Sequence, residues 1–266
     1  MGVNPLLMAM IFFTIVSFFS AETESASFEI LNNCSYTIWP GLVSTYYDTV
    51  DTLSTTGFTL KSGESFNLSV PKSWHGRVWG RTLCNESSTT GNFSCFTADC
   101  GSGKIECDGN VGNPPATFAQ FQLNINATGM DMYGVSLADG FNLPMVVVPR
   151  GGGRNCNSSG CLADVNGECL KELRLARDGS QETVACMTPC TAFNDPKFCC
   201  SPKVYLPISP ETCGGNIYTE FFKQICPRAN TYAFNDPSTS VQNQTTYTCA
   251  SANYSIVFCP IRYLAI

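Results

Sequence analysis

The sequence predicts a mostly β protein: an antiparallel β-sandwich with a disulfide-rich loop/helix lobe and a second, small disulfide-rich lobe. The first indication is a series of short stretches in which apolar and polar residues alternate, separated by Gly, Pro and Asn. This pattern is typical of sandwich strands. The second indication is the presence of 16 cysteines, all beyond an apolar N-terminal run, which indicates a framework of disulfides.

The predicted strands follow one another along the chain. Two strands within "SFEILNNCSYTIWP" (27–40) are separated by Asn32-Asn33, where turn-forming residues interrupt the alternation. Further alternating runs are "GESFNLSVP" (63–71), "GRVWGRTLC" (76–84), "ATFAQFQLNI" (116–125), "DMYGVSLADG" (131–140) and "NYSIVFCP" (253–260).

The middle of the chain differs from the strand-rich parts. Cysteines cluster there, Pro and Gly are frequent, and the one convincing helix is Ile217–Ile225, which Pro227 ends. We therefore divide a single domain as follows: a sandwich core at 26–81, 119–160 and 227–266, a small disulfide-rich lobe at 82–118, and a loop/helix lobe at 161–226.

Residues 1–25 are predicted to be a signal peptide. The apolar run Leu6–Phe19 is too short for a membrane span but has the length of a signal-peptide core, and small residues favour cleavage near Ser25/Ala26. Secretion agrees with N-x-S/T sequences, which make candidate glycosylation sites of Asn67, Asn85, Asn92, Asn126, Asn157, Asn243 and Asn253.

Charge and composition exclude several classes of function. The net charge is −6 and only 14% of residues are charged, so no basic surface for nucleic acid is indicated. His75 is the only histidine, which argues against a metal site and against a serine-nucleophile hydrolase. We expect no cofactor, no metal, no stable membrane insertion and a monomer.

The run "GNFSCFTADCGSGKIEC" (91–107) resembles the signature of the thaumatin-like proteins, the fifth group of plant pathogenesis-related proteins. The stretches "LADGFNLPM" (137–145) and "CLADVNGECLKELR" (161–174) are similar to that family too, and such matches cover nearly the whole mature chain. The resemblance implies a disulfide pairing, which is Cys34–Cys259, Cys84–Cys95, Cys100–Cys107, Cys156–Cys249, Cys161–Cys226, Cys169–Cys186, Cys190–Cys199 and Cys200–Cys213.

The resemblance also implies a cleft between the lobes, which in the family is lined by an arginine, a glutamate and three aspartates and binds β-1,3-glucan. Here the arginine is Arg77, and two aspartates are kept as Asp139 and Asp236. The glutamate is replaced by Gln120 and the remaining aspartate by Gly134. Two of the five positions have therefore lost their carboxylate.

An aromatic residue beside this cleft is a candidate for stacking on a sugar ring, and Phe141 follows Asp139-Gly140 directly. Structural roles compete with these assignments. Arg77 could serve only to hold two strands together through an ion pair, and Gln120 could be no more than a polar residue on a strand face. Asp139 and Asp236 could each do no more than form a turn.

Glycoside hydrolysis by the usual route needs two carboxyl groups, one of which donates a proton. We therefore expect a secreted plant defence protein with an antifungal role that binds β-1,3-glucan or a related polysaccharide without efficient hydrolysis. The apoplast is the expected location, with the vacuole as an alternative. Two rival functions stay open: a weak endo-β-1,3-glucanase using Asp139 and Asp236, and a module whose altered cleft binds a protein partner.

Overall fold

The computed structural model describes residues 25–45, 53–153, 156–177, 179–199, 215–231, 246–250 and 253–260. Most of the predicted signal peptide, Asp236, the Cys200–Cys213 pair and Asn243 lie outside these residues. No helix in the described ranges is long and apolar enough to cross a membrane.

The described residues form a mostly β fold, as predicted. The strands are β1 Ser25–Asn32, β2 Trp39–Ser44, β3 Ser65–Pro71, β4 His75–Glu86, β5 Phe93–Thr97, β6 Phe118–Gln122, β7 Met130–Ser136, β8 Met145–Arg150, β9 Ser159–Cys161, β10 Arg174–Ala176, β11 Thr183–Cys186, β12 Tyr247–Ala250 and β13 Asn253–Phe258. The α-helices are α1 Val165–Glu168, α2 Pro189–Phe193 and α3 Ile217–Ile225.

Two sheets make the sandwich. One has five strands in the order β3-β1-β13-β8-β9, and the other has the order β12-β7-β6-β4-β2, with β5 added on β4. The predicted strands around Asn32-Asn33 are present, but β1 and β2 belong to different sheets.

One strand pair departs from the predicted antiparallel arrangement. β1 and β13 run parallel, with Asn32 opposite Phe258, whereas the other strand pairs of the described residues are antiparallel. A parallel pair needs a long crossover, and here the rest of the domain provides it. The Cys34–Cys259 disulfide joins the two strands just beyond their C-terminal ends.

The core between the sheets is rich in aromatic side chains. Phe28 of β1 contacts Phe121 of β6 with ring centroids 4.5 Å apart, and Phe121 meets Tyr254 of β13 at 5.2 Å. All three are buried. Each such side chain contributes roughly 1.5–3 kcal/mol through burial, so these contacts hold the two sheets face to face.

Seven disulfides cross-link the described residues, and each joins a pair that the resemblance implies. They are Cys34–Cys259, Cys84–Cys95, Cys100–Cys107, Cys156–Cys249, Cys161–Cys226, Cys169–Cys186 and Cys190–Cys199. Each closes a loop of the unfolded chain and adds on the order of 2–4 kcal/mol of stability.

The helix α3 has the predicted limits because both ends are fixed locally. Asn216 accepts the N–H groups of Tyr218 and Thr219, and the Thr219 hydroxyl accepts the N–H of Asn216, which makes a capping box. On the apolar face of this helix, Phe222 is buried and Phe221 and Ile225 are half-buried.

The small lobe (82–118) packs on the outer face of the six-stranded sheet through Trp79 and Arg81. The Trp79 indole N–H donates to the Ala98 carbonyl at 3.0 Å. Arg81 is fully buried, and its guanidinium donates to the carbonyls of Trp39 at 2.9 Å and Ile105 at 2.5 Å. Burial lowers the pKa of Arg81 to about 10, against the opposing effect of nearby acidic groups, so the side chain stays charged at neutral pH.

A second polar contact ties the small lobe to the chain before β3. The Glu106 carboxylate accepts the Thr55 hydroxyl at 2.8 Å, and the N–H and hydroxyl of Thr56 at 2.6 and 2.7 Å. Burial alone would raise the pKa of Glu106, but these hydrogen bonds outweigh burial and lower it below its ordinary value of 4.5.

Replacing Arg81 by Met is expected to lower the free energy of unfolding by about 3–5 kcal/mol, because buried carbonyls lose their donor. Guanidinium chloride denaturation with intact disulfides measures the change. Arg150 is a matched control, since it forms an exposed ion pair with Glu29 at 2.5 Å, and Arg150→Met should cost about 0–1 kcal/mol. Equal effects of the two substitutions would contradict this role of Arg81.

Stability should fall in acid partly through Glu106. Its pKa is lower in the folded state than in the unfolded chain, so its contribution is complete above the ordinary pKa of 4.5 and is lost as pH falls through the folded value. Denaturation midpoints measured from about pH 7 to about pH 2, on both sides of the ordinary pKa of a glutamate, should depend less on pH in Glu106→Gln. The exposed Glu86→Gln serves as the control, and an unchanged pH profile in Glu106→Gln would refute this assignment.

Candidate functional site

Three of the predicted cleft positions lie in one row across the six-stranded sheet. Arg77 of β4 is directly opposite Gln120 of β6, and Gln120 is directly opposite Gly134 of β7. We call these three residues the site row. Because all strands of this sheet are antiparallel and in register, the side-chain positions of the row share one face.

That face is the outer face of the sheet, away from the sandwich core. Val78, Ala119 and Val135, which alternate with the site row, are buried in the main core. Trp79 and Phe118, two positions from Arg77 and Gln120, are covered by the small lobe instead. The site row therefore lies at the border of the area that the small lobe covers.

Arg77 is held in place at this border by two contacts. Its Cζ lies 5.2 Å from the centroid of the Phe118 ring, a cation–π arrangement. Its Nη1 lies 3.5 Å from Oδ2 of Asp139, and 34% of the Arg77 side chain and 38% of the Asp139 side chain are exposed. The ion pair is long and accessible, so solvent weakens it and a ligand can reach both groups.

Asp139 reaches Arg77 from the turn after β7. The Gly140 N–H donates to the Leu137 carbonyl at 2.9 Å, and the Ala116 N–H donates to the Asp139 carbonyl at 3.2 Å. Gly140 has a φ of 96°, and a Cβ there would lie 2.8 Å from Cβ of Pro115. Only glycine suits both conditions, and the tight turn places Asp139 beside Arg77.

Phe141 does not line the site, so its assignment as a cleft residue is wrong. Its side chain is fully buried in the main core, and its backbone exchanges hydrogen bonds with that of Cys186. An apolar ring directly after a tight turn gains more from the core than from solvent, and the aromatic pattern alone does not separate these outcomes.

Tyr133, the neighbour of Gly134, is likewise a core residue. Burial raises the pKa of its phenol well above the ordinary value, so the hydroxyl stays protonated. That hydroxyl donates to the Asn157 carbonyl. The Tyr133 ring lies on the core side of β7, so it is not available to a ligand on the outer face of the sheet.

A second row that sequence reasoning missed, with two polar residues and a methionine, lies next to the first. His75 is opposite Gln122, and Gln122 is opposite Met132. Gln122 is exposed, and His75 and Met132 are half-buried. The alternation of β4 and β6 contains this signal, since each residue lies two positions from a member of the site row.

The charges and donors of this surface suit binding better than proton transfer. Arg77 offers charged donors, Gln120 offers an amide donor and acceptor, and Asp139 offers acceptors. Gly134 contributes no side chain. Of the five family cleft positions, Asp236 lies outside the described residues. No cluster of three or more His, Cys, Asp or Glu side chains suited to a metal ion occurs in the described part of the chain.

Three relatives align with nine-tenths or more of this chain. A glucan endo-1,3-beta-glucosidase from Prunus avium is 45% identical over 249 residues, which are 93% of this chain and 95% of the relative. Thaumatin-like protein 1 from Arabidopsis thaliana is 42% identical over 243 residues, covering 90% and 87%. A PR5-like receptor kinase from Arabidopsis thaliana is 43% identical over 256 residues, 95% of this chain, but this chain spans only 37% of the kinase.

Among solved structures, the thaumatin-like xylanase inhibitor TLXI aligns over 88% of this chain and 99% of its own, with 21% identity and a TM-score of 0.44. The family model described as Thaumatin family matches residues 32–260. With that match and relatives above 40% identity over nine-tenths of its length, the chain belongs to the thaumatin family.

Proposed function

We propose that the chain is a secreted plant defence protein that binds β-1,3-glucan or a related polysaccharide at the site row and Asp139, without efficient hydrolysis. The observation that carries this proposal is the composition of the row. An accessible Arg77–Asp139 ion pair stands beside the neutral Gln120 and the side-chain-free Gly134.

The geometry favours a ligand rich in hydroxyl groups. The row runs perpendicular to the strands, and neighbouring strands are about 4.8 Å apart, so Arg77 and Gln120 present hydrogen-bonding groups at a spacing close to that of one sugar ring. Hydrogen bonds to the charged groups contribute roughly 1.5–3 kcal/mol each and those to the amide roughly 0.5–1.5 kcal/mol. A few such contacts suffice for micromolar to millimolar binding.

The same composition argues against efficient cleavage. Two carboxyl groups have to face the scissile bond, about 5–5.5 Å apart for retention or 6.5–9.5 Å for inversion. The Gln120 amide cannot donate a proton as a general acid, and Gly134 has no group to offer. Among the described cleft positions Asp139 is the one that supplies a carboxyl group, and a single carboxyl group cannot fill both roles.

The glucan is favoured over other polysaccharides by one comparison. The Prunus avium relative that shares 45% of its residues over nearly its whole length is named a glucan endo-1,3-beta-glucosidase. That name also supports a second candidate, a weak endo-β-1,3-glucanase in which Asp139 acts with Asp236. The two candidates share a substrate and differ only in turnover.

Secretion and an antifungal role belong to the same proposal. Seven disulfides in the described residues require an oxidising compartment to form, and the segment before β1 has the pattern of a signal peptide. The β-1,3-glucan in fungal walls would then be accessible to the protein outside the plant cell.

Arg77→Ala is expected to weaken binding of laminarin oligosaccharides by about 10- to 100-fold, the equivalent of losing a charged hydrogen bond. Calorimetric titration measures this. Arg150→Ala is the matched control, because Arg150 pairs with Glu29 on the other sheet. Equal affinity in Arg77→Ala and wild type would place the ligand elsewhere, and no binding by the wild type would reject the glucan and direct the search to protein partners.

Restoring the family carboxylates should restore turnover. The double variant Gln120→Glu with Gly134→Asp is expected to release reducing sugar from laminarin at least about tenfold faster than wild type, since general acid–base groups contribute roughly 100-fold or more. The control variant is Gly134→Asn, which keeps Gln120 and adds similar bulk at position 134 without a carboxyl group. Near-UV circular dichroism checks that each variant is folded.

Measurable release of reducing sugar by the wild type, at a rate equal to that of the double variant, would support the weak glucanase instead. In that case Asp139→Asn should abolish sugar release, because the amide can neither accept nor donate the catalytic proton.

A further inference from the structure

The ribbon of β4 and β5 exposes a pair of large apolar side chains. Thr82 is opposite Thr97 and Cys84 is opposite Cys95, and Leu83 and Phe96 lie between these two pairs, one on each strand. Leu83 is 41% exposed and Phe96 is 44% exposed. Two neighbouring apolar groups in water carry an unfavourable hydration free energy, and a covering group would remove it.

A glycosylation sequence lies on the same face of this ribbon. Along β5, Phe93 and Thr97 are buried whereas Ser94 and Phe96 are exposed, so Ser94 and Phe96 point to one side. Asn85 is directly opposite Ser94 and is exposed as well. Phe96 is therefore a diagonal neighbour of Asn85, at about 7–8 Å between Cα atoms, which is within reach of an aromatic side chain.

We propose that Asn85, in the sequence Asn85-Glu86-Ser87, carries an N-linked glycan whose first N-acetylglucosamine packs on Phe96 and Leu83. One face of this sugar ring presents C–H groups, which are attracted to the negative face of an aromatic ring and lose water on contact. The inference rests on the proposed secretion, since the glycan is attached in the secretory pathway.

The glycan is attached to Asn85 by the transfer of an oligosaccharide from a donor. The donor is an oligosaccharide linked through a diphosphate to a membrane lipid. A bond forms between Nδ2 of Asn85 and C1 of the first sugar while the bond from C1 to the diphosphate oxygen breaks. The lipid diphosphate leaves, and Nδ2 loses one proton.

Two of the other described sequences, at Asn67 and Asn253, lack this arrangement. Asn67 of β3 is exposed, but its neighbours on β1 are Glu29 opposite and Ser27 and Leu31 diagonally, none of them aromatic. Asn253 is engaged through Oδ1, which accepts the Ser27 N–H at 2.8 Å. Among these sequences, Asn85 has an aromatic surface next to it.

The test uses the full chain secreted from mammalian cells, with its own N-terminal segment and, in parallel, with a substituted signal peptide. Enzymatic removal of N-glycans in ¹⁸O water converts each occupied Asn to labelled Asp, which peptide mass spectrometry locates. We expect the label at Asn85 in most molecules. In protein trimmed to a single ¹³C-labelled N-acetylglucosamine per site, the sugar protons at Asn85 should move upfield through the ring current of Phe96.

Phe96→Ser should abolish that upfield shift, and Tyr36→Ser, which removes an exposed aromatic ring elsewhere, should leave it unchanged. An unmodified Asn85 in secreted protein overturns the glycan. If Asn85 is occupied but the sugar protons have the same chemical shifts in Phe96→Ser as in the wild type, the proposed packing is overturned. Labelled Asn85 obtained only with the substituted signal supports the glycan and rejects secretion by the chain's own segment.

Discussion

The two-residue side-chain period of β4 decides which of its side chains enter the sandwich core and which reach the outer face of the sheet. One side of this strand contributes Val78 to the sandwich core. The other side places Arg77 at the site row, Trp79 under the small lobe and Arg81 in that lobe's interior. A shift by one residue would bury Arg77 and expose the core, so the fold, the docking of the small lobe and the candidate site are specified together.

The small lobe determines how much of the outer sheet face stays accessible. Buried Arg81 satisfies carbonyls on both β2 and the lobe, and a guanidinium suits this because its donors form a fixed fork. Coverage ends at Phe118, whose ring supports Arg77. The accessible ion pair with Asp139 is thus positioned by a rigid border, which lowers the entropy lost when a ligand binds.

Much of the fold follows from the sequence because local signals agree with the tertiary structure. The limits of α3 follow from Asn216 and Pro227, and the alternation in 76–84 and 116–125 matches β4 and β6. The parallel pairing of β1 with β13 was not predictable from alternation, since it depends on where two distant segments meet. At the candidate site, matching positions predicted Arg77, Gln120 and Gly134, and the sheet register places these three residues in one row. Phe141 is buried in the core instead, because an aromatic pattern does not report burial.

We propose above that the site row binds glucan without cutting it. The most direct measurement is a nuclear magnetic resonance titration of ¹⁵N-labelled protein with a β-1,3-glucan hexasaccharide, following the Arg77 Nε–H and the Gln120 side-chain amide. We expect saturable shifts of both signals while the hexasaccharide stays intact in the same tube. Unmoved signals at these two groups, or the appearance of shorter sugars, would contradict it.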